Sequence, residues 1–283
     1  MVAIITDTTA SIPADLIEEL QIELVPYYIM RNNETLRDMV DIQPEEFAQY
    51  LMTARTLPTT SNPSPGDYVN SIRKLAERTR EIVAITMTSK GSGAYQSCKA
   101  AVEMVCERLP NLHIDVVDTL QVAMSHGWSV IEAARAARRG LGIKEVAAKA
   151  REIAAKARML QTNDTLRYLY MGGRIGKAQA LMGTLLNIKP IVSMEDGIIV
   201  PLGTARTRHK AYMRMVDLVK EKVGQGARIK IAFTHCAAMD QLEILKEEFT
   251  KHFQCVEVLV SALSPTLAVH SGPGTVGLAY LPV

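Results

Sequence analysis

The sequence predicts an α/β chain of two domains: a parallel-sheet βαβ domain over residues 1–157, then an α+β domain with a mixed sheet over residues 158–283. Three observations predict it. At 283 residues the chain is long for one hydrophobic core, since cores stop growing near about 250–300 residues. In the first half, short apolar runs alternate with helical stretches, the grammar of βαβ units. In the second half, two β-rich runs flank Asp196-Gly197, a strong short signal for a hairpin and hence for antiparallel pairing.

Ala3–Thr6 is the first apolar run. The segment TDTTASIPADLIEEL then reads as loop, cap and helix, with Pro13 in the first turn and Leu16, Ile17 and Leu20 on one face. Ile22–Tyr28, Ile82–Met87 and Ile114–Val117 read as three further buried strands. Helices are expected over Pro44–Ala54, Pro65–Arg78, Ala94–Arg108 and Ser125–Arg139. Ligands of such sheets sit beyond the carboxyl ends of the strands, so the loops after the first and fourth runs are the places to search. Lys144–Ala157 is a charged, Ala-rich helix that closes the first domain. Beyond it, Asn187–Pro201 holds the hairpin. Ile229–Phe233, a helix over Gln241–Phe253, Val256–Val260 and Gly277–Pro282 follow, giving mixed strands with helices on one side.

Composition removes several function classes. Hydrophobic residues at 48% and charged residues at 22% exclude a disordered chain. A formal net charge of +2, spread along helices, argues against nucleic acid, which asks for a concentrated basic stripe. No apolar run approaches the roughly 18–20 residues of a membrane span. The opening MVAIITDTTA lacks the basic and apolar segments of a secretory leader, so a cytoplasmic location is expected. Cys98, Cys106, Cys236 and Cys255 show no CxxC pair and no zinc spacing, and read as reduced thiols. No metal and no cofactor is expected. No heptad stripe stands out, so the expected state is a monomer.

Five loops are rich in small, hydroxyl or glycine residues: Thr6–Ser11, Pro58–Gly66, Thr86–Gly93, Gly172–Gly176 and His270–Gly274. Four adjoin expected helix starts, where free N–H groups and the helix dipole favour an anion. Glycine allows close approach, and Ser or Thr adds short donors. Each loop alone also reads as a capping loop. Asp7, Asp118 and Asp164 are the best carboxylates for metal or acid–base chemistry, yet each sits where a cap or strand-end turn wants Asp. Met159, Met182, Met194 and Met213 are candidates for an adaptable apolar lining.

Enzyme signatures fail on inspection. Ser92 has Lys90 and Ala94 where a nucleophile elbow carries glycines. In GGRIGKA, Met171 stands at the first glycine of a phosphate-binding loop and Ala178 at its Ser/Thr. Gln96 replaces the third glycine of a dinucleotide fingerprint, and no HExxH pattern occurs.

The five loops occur in an order that resembles the DegV family over nearly the whole chain. The matching pieces are ITDTTASIP, TTSNPSPGDY, SKGSGAYQS, TLRYLYMGGRIGKAQALMGTLLNIKPI and HSGPGTVGLAY. The resemblance implies a soluble, non-catalytic carrier that binds one long-chain fatty acid, with the carboxylate at the seam between two domains and the acyl chain buried. It implies a carboxylate site of Thr60, Ser61, Ser92 and His270, and a secondary set of Asn62, Gly93, Arg174 and Arg206 facing a partner or phosphate. It also implies a partner, a separate ATP-dependent fatty acid kinase. Asn62 departs from the usual Gln, Lys90-Gly91 from Gly-Leu, and Ser271 from Thr. The alternative reading of the same Ser/Gly loops is an acyl hydrolase or a phosphoryl-transfer enzyme, and a third is an interaction module without a ligand.

Overall fold

A computed structural model of the protein describes residues 1–182 and 188–283. Asn187, the first residue of the expected hairpin run, and the GTLLN piece of the longest motif lie outside the described residues. The chain begins β1 (Ala3–Asp7), α1 (Ala14–Leu20), β2 (Glu23–Val25), β3 (Tyr28–Arg31), β4 (Glu34–Arg37), α2 (Pro44–Thr53) and β5 (Thr59–Ser61). It continues α3 (Pro65–Ala76), β6 (Glu81–Thr86), α4 (Ala94–Cys106), β7 (His113–Asp118), α5 (Ala123–Arg138) and α6 (Ile143–Lys156). Then come β8 (Arg158–Thr162), α7 (Arg167–Met171), β9 (Lys189–Glu195), β10 (Ile198–Ala205), α8 (Arg208–Val223) and β11 (Arg228–His235). The end is α9 (Met239–Thr250), β12 (Gln254–Ala262), α10 (Pro265–Ser271) and β13 (Val276–Pro282).

The first sheet has the order β2-β1-β6-β7, with every pairing parallel. From β1 the chain moves outward to β2, and β6 and β7 then add on the other side. The crevice therefore opens between the carboxyl ends of β1 and β6. The expectation of the loop after the first run holds. The loop after the fourth run also reaches the site, through Val122, and the loop after β6 joins it there. Strand order decides this, and a short run of residues does not reveal it.

The run Ile22–Tyr28 is also not one strand. β2 joins the parallel sheet, and β3 leaves for a separate antiparallel sheet, β4-β3-β5. Pro26 stands between them, and a residue without an N–H cannot continue a ladder. The small sheet is held to the rest by a cluster that includes Ile29, Phe47, Leu51, Leu263 and Val269, so it packs α2 and α10 together. After β5, Ser64 and Asp67 form a reciprocal capping box around Pro65, which orders the TSNPSPG segment before α3.

The second large sheet is mixed and six-stranded, β10-β9-β8-β13-β11-β12, with β11 and β12 parallel and the other pairs antiparallel. The hairpin appears where Asp196-Gly197 placed it. Both turn residues have positive φ, 48° and 79°, the type I′ requirement that Asp-Gly meets cheaply. On one face α8 and α9 bury Tyr212, Phe233, Phe249 and their neighbours. The last helix before β12 starts two residues earlier than expected and ends at Thr250.

Helix α5 covers the other face and joins the sheets. Thirteen of its sixteen residues are buried. Small residues let it lie close: a Cβ on Gly127 would come 2.7 Å from the Ala10 carbonyl, so only glycine admits the loop after β1. Trp128, the one tryptophan, is fully buried and donates its indole N–H to the Ala279 carbonyl at 3.0 Å. Val83 and Ile85 of the first sheet share one apolar cluster with Met159, Ala232 and Ala279 of the second, through Trp128 and Ile131. At the edge, Arg135 pairs with Glu257, and Lys230 with Glu132. No helix of the described residues is long and apolar enough to cross a membrane.

Because one cluster serves both large sheets, Trp128→Ala is expected to cost about 3–5 kcal/mol, the usual figure for truncating a buried aromatic. Urea unfolding should follow one transition by circular dichroism and by intrinsic fluorescence of the parent protein. Two separated transitions in the parent would contradict a shared core.

Candidate ligand-binding site

At the carboxyl ends of β1 and β6 lies a cavity of about 470 Å³, within the range of about 300–1,000 Å³ that small-molecule sites occupy. Its walls come from the loop after β5, the loop after β6, the loop after β7, the glycine loop after α7, the β9–β10 hairpin and α10. Met87, Val122, Met159, Met194, Ile199 and Leu263 supply apolar surface. Thr60, Ser61, Asn62, Ser92, Arg174 and His270 supply polar groups. Of the four methionines expected as lining, Met159 and Met194 line the cavity. Met182 is an exposed residue and Met213 sits on α8, away from it.

Thr60 reaches the cavity from β5, where it pairs with Ile29. Its hydroxyl lies 2.9 Å from Nε2 of His270. His270 is not in a loop, as the HSGPG motif suggested, but on the last turn of α10. Its ring packs on Gly172, where a Cβ would overlap the imidazole. Nδ1 of His270 is buried without a partner. A bare acceptor is tolerated in such a place better than an unpaired N–H, which assigns the proton to Nε2. Nε2–H then donates to Thr60, and the Thr60 hydrogen is left for the cavity. Burial, with the Arg174 guanidinium nearby, holds the imidazole down to about 4, so the ring is neutral near pH 7.

Ser92 stands just before α4. Its hydroxyl accepts from the Ala94 N–H at 3.3 Å and lies 2.6 Å from the hydroxyl of Tyr27. With Tyr27 donating, both Ser92 lone pairs are used and its hydrogen also points to a ligand. Tyr27 was hidden in the run read as a single strand. Its signal was the adjacent Pro26, which ends β2 and lets the aromatic residue turn inward. The phenol is buried, and burial, then Asp7, pushes it well above its ordinary value.

The other expected residues fall into two groups. Asn62 donates to the Ser97 hydroxyl at 3.1 Å and to the Pro63 carbonyl at 2.8 Å. It occupies the space above Gly93, where a Cβ would come 2.9 Å from its Oδ1, so the Thr60 and Ser92 loops lie side by side. Ser61 is exposed, lines the cavity and donates to the Asn62 carbonyl at 3.3 Å. Arg174 donates to the carbonyls of Gly91 (3.3 Å) and Gly172 (2.8 Å), and no carboxylate pairs with it among the described residues. Arg206 is exposed and does not line the cavity. Its neighbour Arg208 bonds Asp164 and the Gly274 carbonyl instead.

The three candidate carboxylates all have structural work. Asp7 accepts from Thr9 and from the Met87 N–H, tying the ends of β1 and β6. Asp118 accepts from the backbone of Ser89 and Leu120. Asp164 is paired with Lys189 and Arg208. No cluster of side chains able to hold a metal occurs among the described residues. The Thr88 hydroxyl donates to the Gly197 carbonyl at 2.8 Å, so the hairpin turn closes against the loop after β6.

A family model described as an uncharacterised protein of the DegV family matches residues 1–283. A DegV domain-containing protein of Clostridium perfringens is 32% identical over 279 residues, covering 99% of this chain and 98% of that protein. Among solved structures, a fatty-acid-binding DegV family protein of Thermus thermophilus superposes with a TM-score of 0.93 at 29% identity. It covers 100% of this chain and 99% of its own. A stearic-acid-binding protein of Eubacterium ventriosum gives a TM-score of 0.88 at 25% identity, over 100% and 98% of the two chains.

The depressed His270 sets a pH dependence. In the unfolded chain a histidine titrates near about 6.5, and in the fold this one is held near 4. Its contribution to stability is therefore present above the unfolded value and is lost as pH falls from there through 4. Urea midpoints of the ligand-free parent and of His270→Gln, taken from pH 8 to pH 4, should converge on the acid side. A difference that does not change with pH would contradict a buried neutral ring.

Proposed function

The chain belongs to the DegV family, and from that membership we propose that it binds one long-chain fatty acid without reacting it. The carboxylate sits against Thr60, Ser61, Ser92 and His270, and the acyl chain lies on the methionine-rich wall. The observation that carries this reading is the pairing of Thr60 with His270 and of Ser92 with Tyr27, an arrangement that leaves both hydroxyl hydrogens free when His270 Nε2 and the Tyr27 hydroxyl donate. A carboxylate taken out of water needs such donors, because unpaired desolvation costs several kcal/mol. Neutral His270 adds no charge to be compensated, while Arg174, lacking a carboxylate partner, supplies a favourable field at the mouth. Burying about fifteen chain carbons at about 0.8 kcal/mol each offers on the order of 12 kcal/mol before ordering costs, which suffices for tight binding.

The head group faces the loops rather than the core in this reading, so a second protein can reach it. The acid is then presented to a separate ATP-dependent fatty acid kinase, with Asn62, Gly93, Arg174 and Arg206 toward the partner or its phosphates. The carrier works as a monomer in the cytoplasm, consistent with four free cysteines. Its two domains divide after Ala157, the C-cap of the last helix before β8.

An acyl hydrolase is the competing reading, and the Thr60–His270 pair is the one feature that favours it. A nucleophile needs a base of adequate strength held by a third group. His270 is too weak a base near pH 7, and its Nδ1 has no orienting partner. The partner of Ser92 is a phenol whose pKa lies well above 10.

Thr60→Ala with Ser92→Ala is expected to weaken palmitate or oleate binding by roughly 100-fold or more, since hydrogen bonds to a charged group contribute about 1.5–3 kcal/mol each. Isothermal titration on delipidated protein measures it. Retention of lipid as tight as in the parent would overturn the assignment, and turnover of a chromogenic short-chain ester would favour the hydrolase.

A further inference from the structure

Asp38 follows β4 and is completely buried, with no cation paired to it among the described residues. Its neighbours Arg37 and Asp41 pair with each other instead, at 2.8 Å. A buried carboxylate without a cation is costly, and such a residue is kept when it organises donors around it. Burial pushes this one up to about 6, against the opposing pull of hydroxyls on Thr8, Thr266 and Ser264.

Those donors come from the segments that carry the head-group site. The Thr8 hydroxyl donates to Asp38 Oδ2 at 2.7 Å and accepts from the Tyr27 N–H at 3.3 Å. The Asp38 N–H donates to the Tyr27 carbonyl at 2.8 Å. Tyr27 is thus gripped at both backbone groups, and its hydroxyl holds Ser92. On the other side, Ser264 caps α10 and Thr266 stands in its first turn. Among the described residues neither the Thr266 hydroxyl nor Asp38 Oδ1 makes a hydrogen bond. One turn further along α10 is His270, on Thr60.

We propose that Asp38 is the positioning residue of the head-group site, fixing the Tyr27–Ser92 arm through Thr8 and through its own N–H on the Tyr27 carbonyl. It touches no ligand. Its effect is to aim the Ser92 hydroxyl hydrogen at the point that Thr60 also faces, which matters for a carboxylate and little for an uncharged head group. This inference rests on the fatty-acid reading of the site.

The test is competition against cis-parinaric acid, a fluorescent long-chain acid, by palmitic acid and by 1-hexadecanol. The parent should prefer the acid over the alcohol. Asp38→Ala should reduce that preference at least tenfold, and Asp38→Asn, which keeps one acceptor for Thr8, should restore part of it. A general loss of packing would weaken acid and alcohol alike and leave their ratio in place. If Asp38→Ala does not fold, Thr8→Val breaks only the link to Tyr27 and should lower the ratio in the same direction. An unchanged ratio in folded Asp38→Ala, or in Thr8→Val where Asp38→Ala does not fold, would overturn the role of Asp38. A parent that binds neither probe nor acid would instead overturn the fatty-acid reading itself.

Discussion

Everything in this fold depends on α5 lying between two sheets, with thirteen of its sixteen residues buried. Gly127 admits the loop after β1, and Trp128 reaches across to the Ala279 carbonyl. With that helix in place, the open ends of β1 and β6 face β8, β9 and the hairpin of the second sheet. The crevice of a parallel sheet, which by itself opens to solvent, acquires a second wall. Met159 and Met194 on that wall are then neighbours of Met87 and Val122 on the first. The cavity is a consequence of the seam, and its apolar lining is the continuation of the shared core into open space.

The polar part of the cavity is built on a different principle. Its donors are short hydroxyls, one on β5 and one just before α4, each held by a partner: Thr60 by His270, Ser92 by Tyr27. Glycine makes the close contacts possible, at Gly172 beneath the imidazole and at Gly93 beneath the Asn62 amide. Little positive charge is committed inside, because burial keeps His270 neutral and Arg174 lies exposed at the mouth. Such a site can hold an anion and release it, whereas a buried ion pair would bind it in a costly, unforgiving geometry.

Much of the architecture was legible in the chain. Local signals served well where local physics decides: the Asp196-Gly197 turn, the alternation of β6 and β7 with their helices, and the Ser64–Asp67 cap. Thr60, Ser92 and His270 were legible through the ordered loops and come together here although 210 residues separate Thr60 from His270. What stayed hidden was set by tertiary order. Pro26 split one apparent strand between two sheets, strand order added the loop after β6 to the crevice, and α10 absorbed a motif that looked like a loop. Tyr27 and Asp38 were invisible for the same reason. One lay within an apolar run and the other within a charged turn, and only the packing of three segments gives either a role. Arg206, by contrast, was read from a motif and stands away from the cavity.

The occupancy proposed for this cavity is one fatty acid per chain. Native mass spectrometry of the purified protein, followed by solvent extraction and identification of the released lipid, tests it most directly. The expected result is a single mass increment equal to one long-chain fatty acid, removed on denaturation. A chain that carries no such adduct, as purified and after incubation with palmitate or oleate, would contradict it.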